Sequence, residues 1–257
     1  MKIHNLLSLL AALLAFFSSS PPVSAELPSS QTSIAVCQRV APSLAMELSR
    51  LGVELGSPIF IRIFKESQEL EVWVQADEGY RLFKTYDICY FSGELGPKTR
   101  EGDRQSPEGF YTVNEHQLNP NSRYHLSFDI GYPNAYDKRL GRTGSALMIH
   151  GDCISVGCFA MTDSRIEEIY TLAEEALRNG QRFFRVHIFP FKMTAANMKK
   201  HKNSKWISFW KNLKEGYDYF EKTNMPPQIS VAGKKYIVEP DYTATVAERR
   251  RPAKVFN

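Results

Sequence analysis

Two side chains in this sequence have the types and spacing for nucleophilic chemistry: His150 and Cys158, within the stretch SALMIHGDCISVGCFAMTD at 145–163. The apolar run 146–149 reads as a strand that delivers His150 to its end. A loop of small residues then returns to Gly157 and Cys158, and Thr162, Asp163 and Ser164 mark a helix start. An imidazole and a thiol at the two ends of one short loop are what a cysteine nucleophile and its base require, if the loop folds back on itself. A resting thiol is mostly neutral at pH 7 and needs a nearby cation or helix N-terminus, and His150 and the helix near Ser164 are both in reach along the chain. Gly157 lets backbone approach a substrate closely, and the N–H groups around Gly157 and Cys158 are candidate oxyanion donors. Other readings of the same residues stay open. Cys153 and Cys158 are spaced for a disulfide; His150, Cys153 and Cys158 are three soft metal ligands with no fourth to close a structural zinc site; and the loop can be buried without chemistry.

The elements that must position this loop follow from the pattern around it. The 257 residues allow one or two domains with a core that folds without staples. Lys2, an apolar run at 6–17 and the small residues up to Ala25 have the order of a secretory signal peptide, cleaved after Ala25. An uncleaved membrane anchor is the other reading of that run. In an exported protein four cysteines allow disulfides without amounting to a disulfide scaffold. The chain carries +4 overall, but residues 193–257 hold thirteen Lys and Arg against six Asp and Glu, leaving the part before them acidic. Such a basic part suits an anionic surface, a cell-wall polymer or phospholipid headgroups, or is simply a solvated face. Its aromatic residues among lysines would also fit nucleic acid, a partner that the export signal excludes.

Ile34, Cys37, Ala41, Leu44 and Leu48 recur at helical spacing over 31–51, with a break or kink expected at Pro42 and Cys37 on the apolar stripe. Strand patterns at 59–64, 70–74 and 80–88 predict a small antiparallel meander, with Cys89 buried at its close. Further strands are expected at 109–113 and 124–130, joined by Gly/Pro-rich and polar loops at 93–107 and 131–144. Ser164 and Glu167 predict a capping box at the head of a helix over 164–179, and 181–189 reads as a strand in which His187 is a hydrogen-bonded core residue. Trp206, Phe209, Trp210, Leu213, Tyr217 and Phe220 predict a helix with an aromatic face, followed by a hairpin over 229–238 and a disordered tail.

Several of these pieces, in this order, resemble the YkuD-type L,D-transpeptidase catalytic domain of bacterial cell-wall enzymes over 58–191. They are the strands from Ile59, the Gly102-Asp103…Ser106-Pro107-Glu108-Gly109-Phe110 turn, and His150-Gly151…Ser155-Val156-Gly157-Cys158. The family signature is a His, a longer gap, then Ser/Thr-His-Gly-Cys; here the gap is short and Val156 stands in place of the second His. That short-gap form looks like the YafK-like branch, whose members are associated with hydrolysis at murein diaminopimelate, including release of the lipoprotein that tethers the outer membrane.

The resemblance implies an α+β fold. A β-rich catalytic domain at 58–192 is flanked by an N-terminal helical segment (26–57, after a signal peptide at 1–25) and by a basic, aromatic, helical appendix at 193–257. It implies Cys158 as nucleophile, His150 as base and the Gly157 backbone as oxyanion holder, with no metal and no organic cofactor. Arg142, Tyr132 and Tyr124 are candidates for gripping the stem peptide's carboxylates, and Ser155 for orienting His150 or capping the loop. The expected partners are peptidoglycan stem peptides and murein-bound outer-membrane lipoprotein, met in the periplasm. Hydrolysis through a thioester acyl-enzyme is the expected reaction. An L,D-transpeptidase that forms cross-links or attaches protein to murein is one alternative; a non-catalytic murein-binding protein with Cys153 and Cys158 locked together is another.

Overall fold

The strand β1 (Ile59–Phe64) is buried at all six positions, because both of its faces are covered. Its isoleucines enter the main core, while Phe60, Arg62 and Phe64 point to the opposite side. The computed structural model describes residues 27–241; the expected signal peptide and most of the expected disordered tail lie outside them. Within that range β1 pairs with β2 (Glu69–Ala76), which pairs with β3 (Gly79–Asp87), both antiparallel as the meander predicts. A short β4 (Tyr90–Phe91) follows, and β5 (Gly109–Val113) returns to the first sheet. Then β6 (Leu118–Asn119), β7 (Ser127–Asp129), α2 (Ala135–Arg139), β8 (Met148–His150) and β9 (Phe159–Ala160) build the region around the His–Cys loop. Helix α3 (Asp163–Arg178) and strand β10 (Phe184–Phe189) close the domain.

The sheets stack as two layers. The first has the order β3-β2-β1-β10-β5, with β1 and β10 parallel; the second has the order β4-β9-β8-β7-β6, with β8 and β9 parallel. Phe128, Ile149 and Phe159 of the second sheet share one core with Ile61, Ile63 and Val186 of the first and with α3. Helix α1 (Gln31–Ser49) packs on α3 through Cys37, Val40, Leu44 and Leu48. Ser30 caps it reciprocally with Ser33, and the helix continues unbroken through Pro42, where a break was expected. The burial of Cys37 agrees with its place on the apolar stripe.

The basic C-terminal part is an integral cover for the first sheet. After α4 (Ala195–Lys200), α5 (Ile207–Thr223) lays Phe209, Trp210, Leu213, Tyr217 and Phe220 against Phe60, Phe64, Phe110 and Phe189. Gly216, in mid-helix where glycine costs about 1 kcal/mol, admits Phe110: a Cβ there would lie 2.6 Å from the ring. Arg62 fits this apolar side because Glu71 and Glu221 neutralise it and it lies 4.7 Å over the Phe220 ring. The hairpin of β11 (Gln228–Ala232) and β12 (Lys235–Glu239) is pinned by two hydrogen bonds between Asn212 and the Tyr236 backbone.

Two local expectations need correcting. Helix α3 begins after Thr162 at φ 74°, with no side-chain cap; Glu167, expected in a capping box, instead accepts from His125 and pairs with Arg39. Arg39 of α1 and the half-buried His125 hold the carboxylate away from the helix end. Cys89, expected to be a buried structural thiol, forms a disulfide with Cys153 across 64 residues. Converting both to Ser is expected to cost about 2–4 kcal/mol by freeing the unfolded chain. The check is the urea midpoint of the Cys89→Ser/Cys153→Ser protein, which should fall while the m-value rises as the unfolded chain expands.

Candidate active site

His150 ends β8 and Cys158 directly precedes β9, so the two parallel strands fix their relation. The register sets His150 beside Ala160 on one side and Ser127 on the other, and Met148 beside Asp129. Cys158 falls in the Met148 row. Alternation then puts Cys158, His150, Ser127 and Asp129 on the face opposite Phe128, Ile149 and Phe159. The base and nucleophile are thus a diagonal pair on one sheet face, about 7–8 Å apart at the backbone. The loop folds back as the reaction demands because parallel pairing of its two ends leaves no other path.

Among the described residues no hydrogen bond joins the imidazole to the sulfur. Cys158 Sγ accepts from the Met148 N–H at 3.3 Å and faces the Ala146 carbonyl at 3.7 Å. His150 is 2% exposed, and its Nδ1 lies 2.6 Å from the Gly151 carbonyl. A carbonyl only accepts, so Nδ1 carries the proton and Nε2 presents a bare lone pair, the form of a general base. The Tyr124 ring stacks on the imidazole with centroids 4.6 Å apart. Tyr124 therefore joins the site as a wall of His150.

The disulfide settles the competing readings of the cysteines. With Cys153 bonded to Cys89, it neither locks Cys158 nor joins a His–Cys–Cys metal set, and Cys158 is a free, half-buried thiol. The expected thiolate, lowered by a cation or helix end, is not what the fold provides. Strand β9 separates Cys158 from the start of α3, and Asp163 at that start accepts from the Asp152 N–H instead. Burial pushes the Cys158 thiol up; the Met148 N–H opposes this, Asp129 adds to it and Lys98 opposes it. Burial likewise holds His150 below the ordinary imidazole value, with the Gly151 hydrogen bond opposing. The resting pair is thiol and neutral imidazole.

This state has a direct chemical signature. Cys37 is buried and its thiol is pushed up to about 12 by burial, so Cys158 is the one thiol open to a reagent. Iodoacetamide is expected to label one cysteine per folded chain, at a rate that still climbs above pH 9. A rate already level below pH 7 would indicate a thiolate–imidazolium pair instead.

The backbone around the nucleophile is held from two sides. The Cys158 carbonyl accepts from Ser155 Oγ at 2.7 Å and Ser106 Oγ at 3.1 Å. Ser155 thus caps the loop and does not orient His150. Gly157 sits at φ 115°, where an added Cβ would also meet Leu147 at 3.1 Å. The N–H groups of Gly157 and Cys158 have no partner among the described residues, which leaves them free to receive an oxyanion. Of the seven non-glycine residues at positive φ among the described residues, four, His125, Ala146, Asp152 and Thr162, cluster about this loop.

Of the remaining candidates, Tyr132 is 4% exposed and its hydroxyl lies 3.3 Å from the Lys98 carbonyl. Arg142 is 8% exposed and donates to Asp137 at 2.7 Å. The structure spends both on the 131–144 loop and brings neither into contact with His150 or Cys158. Sequence reasoning passed over Lys65, which is fully buried. Its Nζ donates to the carbonyls of Glu94, Gly96 and Ser106 and pairs with Glu108 at 3.1 Å. Glu108 also accepts from the Gly96 N–H and from Trp210 Nε1. Through Ser106 this anchor reaches the nucleophile's carbonyl. Asp103 stiffens the same loop, accepting from Lys98, Thr99, Arg100 and Gln105.

Residues 58–188 match the model of the L,D-transpeptidase catalytic domain, YkuD. The chain belongs to the YkuD family. YafK of Escherichia coli strain K12 is 53% identical over 184 residues, 72% of this chain and 75% of that one, and YafK of the O157:H7 strain matches equally. The domain is that of an enzyme acting on peptidoglycan. Among solved structures, the helical cell shape determining protein Pgp2 of Campylobacter jejuni aligns with a TM-score of 0.42 at 19% identity, over 74% of this chain and 80% of that one. Bd1075 of Bdellovibrio bacteriovorus aligns at 0.38 and 18%, over 71% and 79%.

Proposed function

We propose that this YkuD-family enzyme is a periplasmic hydrolase of murein stem peptides, cutting the amide at diaminopimelate that links murein to lipoprotein or a related peptide bond. The observation that carries the reading is the free Cys158 thiol on one sheet face with an imidazole whose Nε2 is bare. His150 Nε2 takes the thiol proton as Sγ attacks the amide carbonyl. The N–H groups of Gly157 and Cys158 receive the oxyanion. Collapse breaks the C–N bond, the imidazolium returns its proton to the leaving amine, and a thioester remains on Cys158. Water, deprotonated by the same ring, then attacks the thioester to release the carboxylic acid and restore the thiol. An amine in place of water would make the same intermediate a transpeptidase step.

Purified sacculi that still carry bound lipoprotein, incubated with the mature protein or its Cys158→Ala variant and read by mass spectrometry, test this. Lipoprotein or trimmed stem peptides released by the wild type alone support hydrolysis. New diaminopimelate-to-diaminopimelate links or newly attached protein would replace hydrolysis with transpeptidation. Identical products from both proteins would sink the nucleophile assignment.

A further inference from the structure

A cavity of about 1020 Å³ opens between the C-terminal hairpin, α2 and the edge of the first sheet formed by β5 and β10. Its size suits a site for a small ligand. Phe110, Phe183 and Tyr236 give it aromatic walls, and its rim bears Lys138 and Arg182. Both cations are exposed and have no ion-pair partner among the described residues, whereas Arg185 beside them is paired with Asp241. The lining also includes Asp129, Ser145 and Ala146, and the Ala146 carbonyl faces the Cys158 sulfur. Inside, the lining includes His187. That ring is 1% exposed, held between Phe60 and Phe110 at 4.7 and 4.6 Å, and its Nδ1 has no hydrogen-bond partner among the described residues. An expected hydrogen-bonded core histidine is therefore a buried polar group with unspent capacity, which native structures rarely keep without reason.

We propose that this cavity binds the carboxylate-bearing portion of a murein stem peptide, with Lys138 and Arg182 holding its carboxylates while the scissile end lies toward Cys158. The proposal rests on the hydrolase reading for what happens at the sulfur, but the binding stands apart from it. The hairpin wall lies beyond the residues that match the family domain, so the cavity is made jointly by that domain and the appended segment. Asp129, close to the thiol, favours an amine over a carboxylate there. Elsewhere the lining holds Lys138, Arg182 and the Arg185–Asp241 pair, an excess of positive charge that favours a ligand's carboxylates.

The probe is a soluble disaccharide–tetrapeptide from digested murein, titrated calorimetrically into the folded Cys158→Ala protein. The Lys138→Ala/Arg182→Ala change is expected to weaken Kd about ten-fold or more. Amidating the probe's carboxylates should weaken binding to the parent but add little in that variant. Ile229→Trp, which keeps both cations but fills the cavity, should weaken binding of either probe. A Kd unchanged in both variants, or no binding by the parent, overturns the proposal. In the Cys158 protein, turnover with KM unaffected by Lys138→Ala/Arg182→Ala would overturn the cavity assignment while leaving hydrolysis intact. Binding that responds as expected without any Cys158-dependent product would do the reverse.

Discussion

Cys158→Ala is expected to lower murein turnover by about 10⁴-fold or more, since no other group can form the acyl-enzyme. His150→Ala should lose about 10²–10⁴-fold, the range of a positioned general base. The two losses should not add in the double variant, because both groups serve the same step. The pH profile separates a base from a merely structural histidine. Burial holds His150 below the ordinary value near 6.5, so its proton-accepting form persists as pH falls through that value. The acid limb of kcat/KM should therefore lie below pH 6.5, and His150→Gln should remove it. An acid limb unchanged in His150→Gln would assign it elsewhere. The same depression has a stability consequence with a definite sign. Below about pH 6.5 the unfolded chain takes up a proton that folded His150 refuses, so this contribution to stability is lost as pH falls from the unfolded value toward the lower folded one.

Glu108→Ala carries the largest expected effect on stability. It would strand the fully buried Lys65 ammonium, the Trp210 indole N–H and the Gly96 N–H at once. Removing one member of a buried ion pair costs about 3–5 kcal/mol, a large share of what a domain has to spare. Burial already presses Lys65 below its ordinary value, with Glu108 opposing. Without the carboxylate the ammonium would shed its proton or draw in water. Urea unfolding of Glu108→Ala, Lys65→Met and the double variant gives the test. The double variant should lose clearly less than the two single losses combined, because neither charge is then stranded. Additive losses would mean that the two groups act independently. A Glu108→Ala protein that folds but turns over more slowly would reflect the Ser106 contact with the Cys158 carbonyl.

Much of this was legible along the chain because it depends on local periodicity. The six-residue alternation from Ile59, the aromatic spacing of α5 and the strand–loop–helix around His150 are each written within one element. The nearness of His150 and Cys158 along the chain was legible for the same reason, but strand β9 and its parallel pairing with β8 were not expected. What the sequence hid depends on distant partners. Nothing near Cys153 names Cys89, so the spacing of Cys153 to Cys158 looked equally suited to a bridge. Arg142 reads as a free cation until Asp137 is seen folded under it, and Lys65 reads as a surface turn residue until the 93–107 loop closes over it. The thiol's environment could not be read because its electrostatics come from Asp129 and Lys98, far from Cys158 in sequence. His187 was placed correctly in the core, but its missing hydrogen bond depends on Phe60 and Phe110 filling the space on either side.

The parallel pairing of β1 with β10 also sets an order on how the molecule can be made. Phe60 lies opposite Arg185, and every strand of the catalytic sheet falls between these two in the chain. The first sheet is therefore incomplete until residue 189 has been synthesised, and the outer side of β1 stays bare until α5 follows. Contacts this distant in sequence carry a loop-closure cost before any burial rewards them, which places the chain among slow folders. The sheet that carries the thiol is thus synthesised before the layer it packs against is complete.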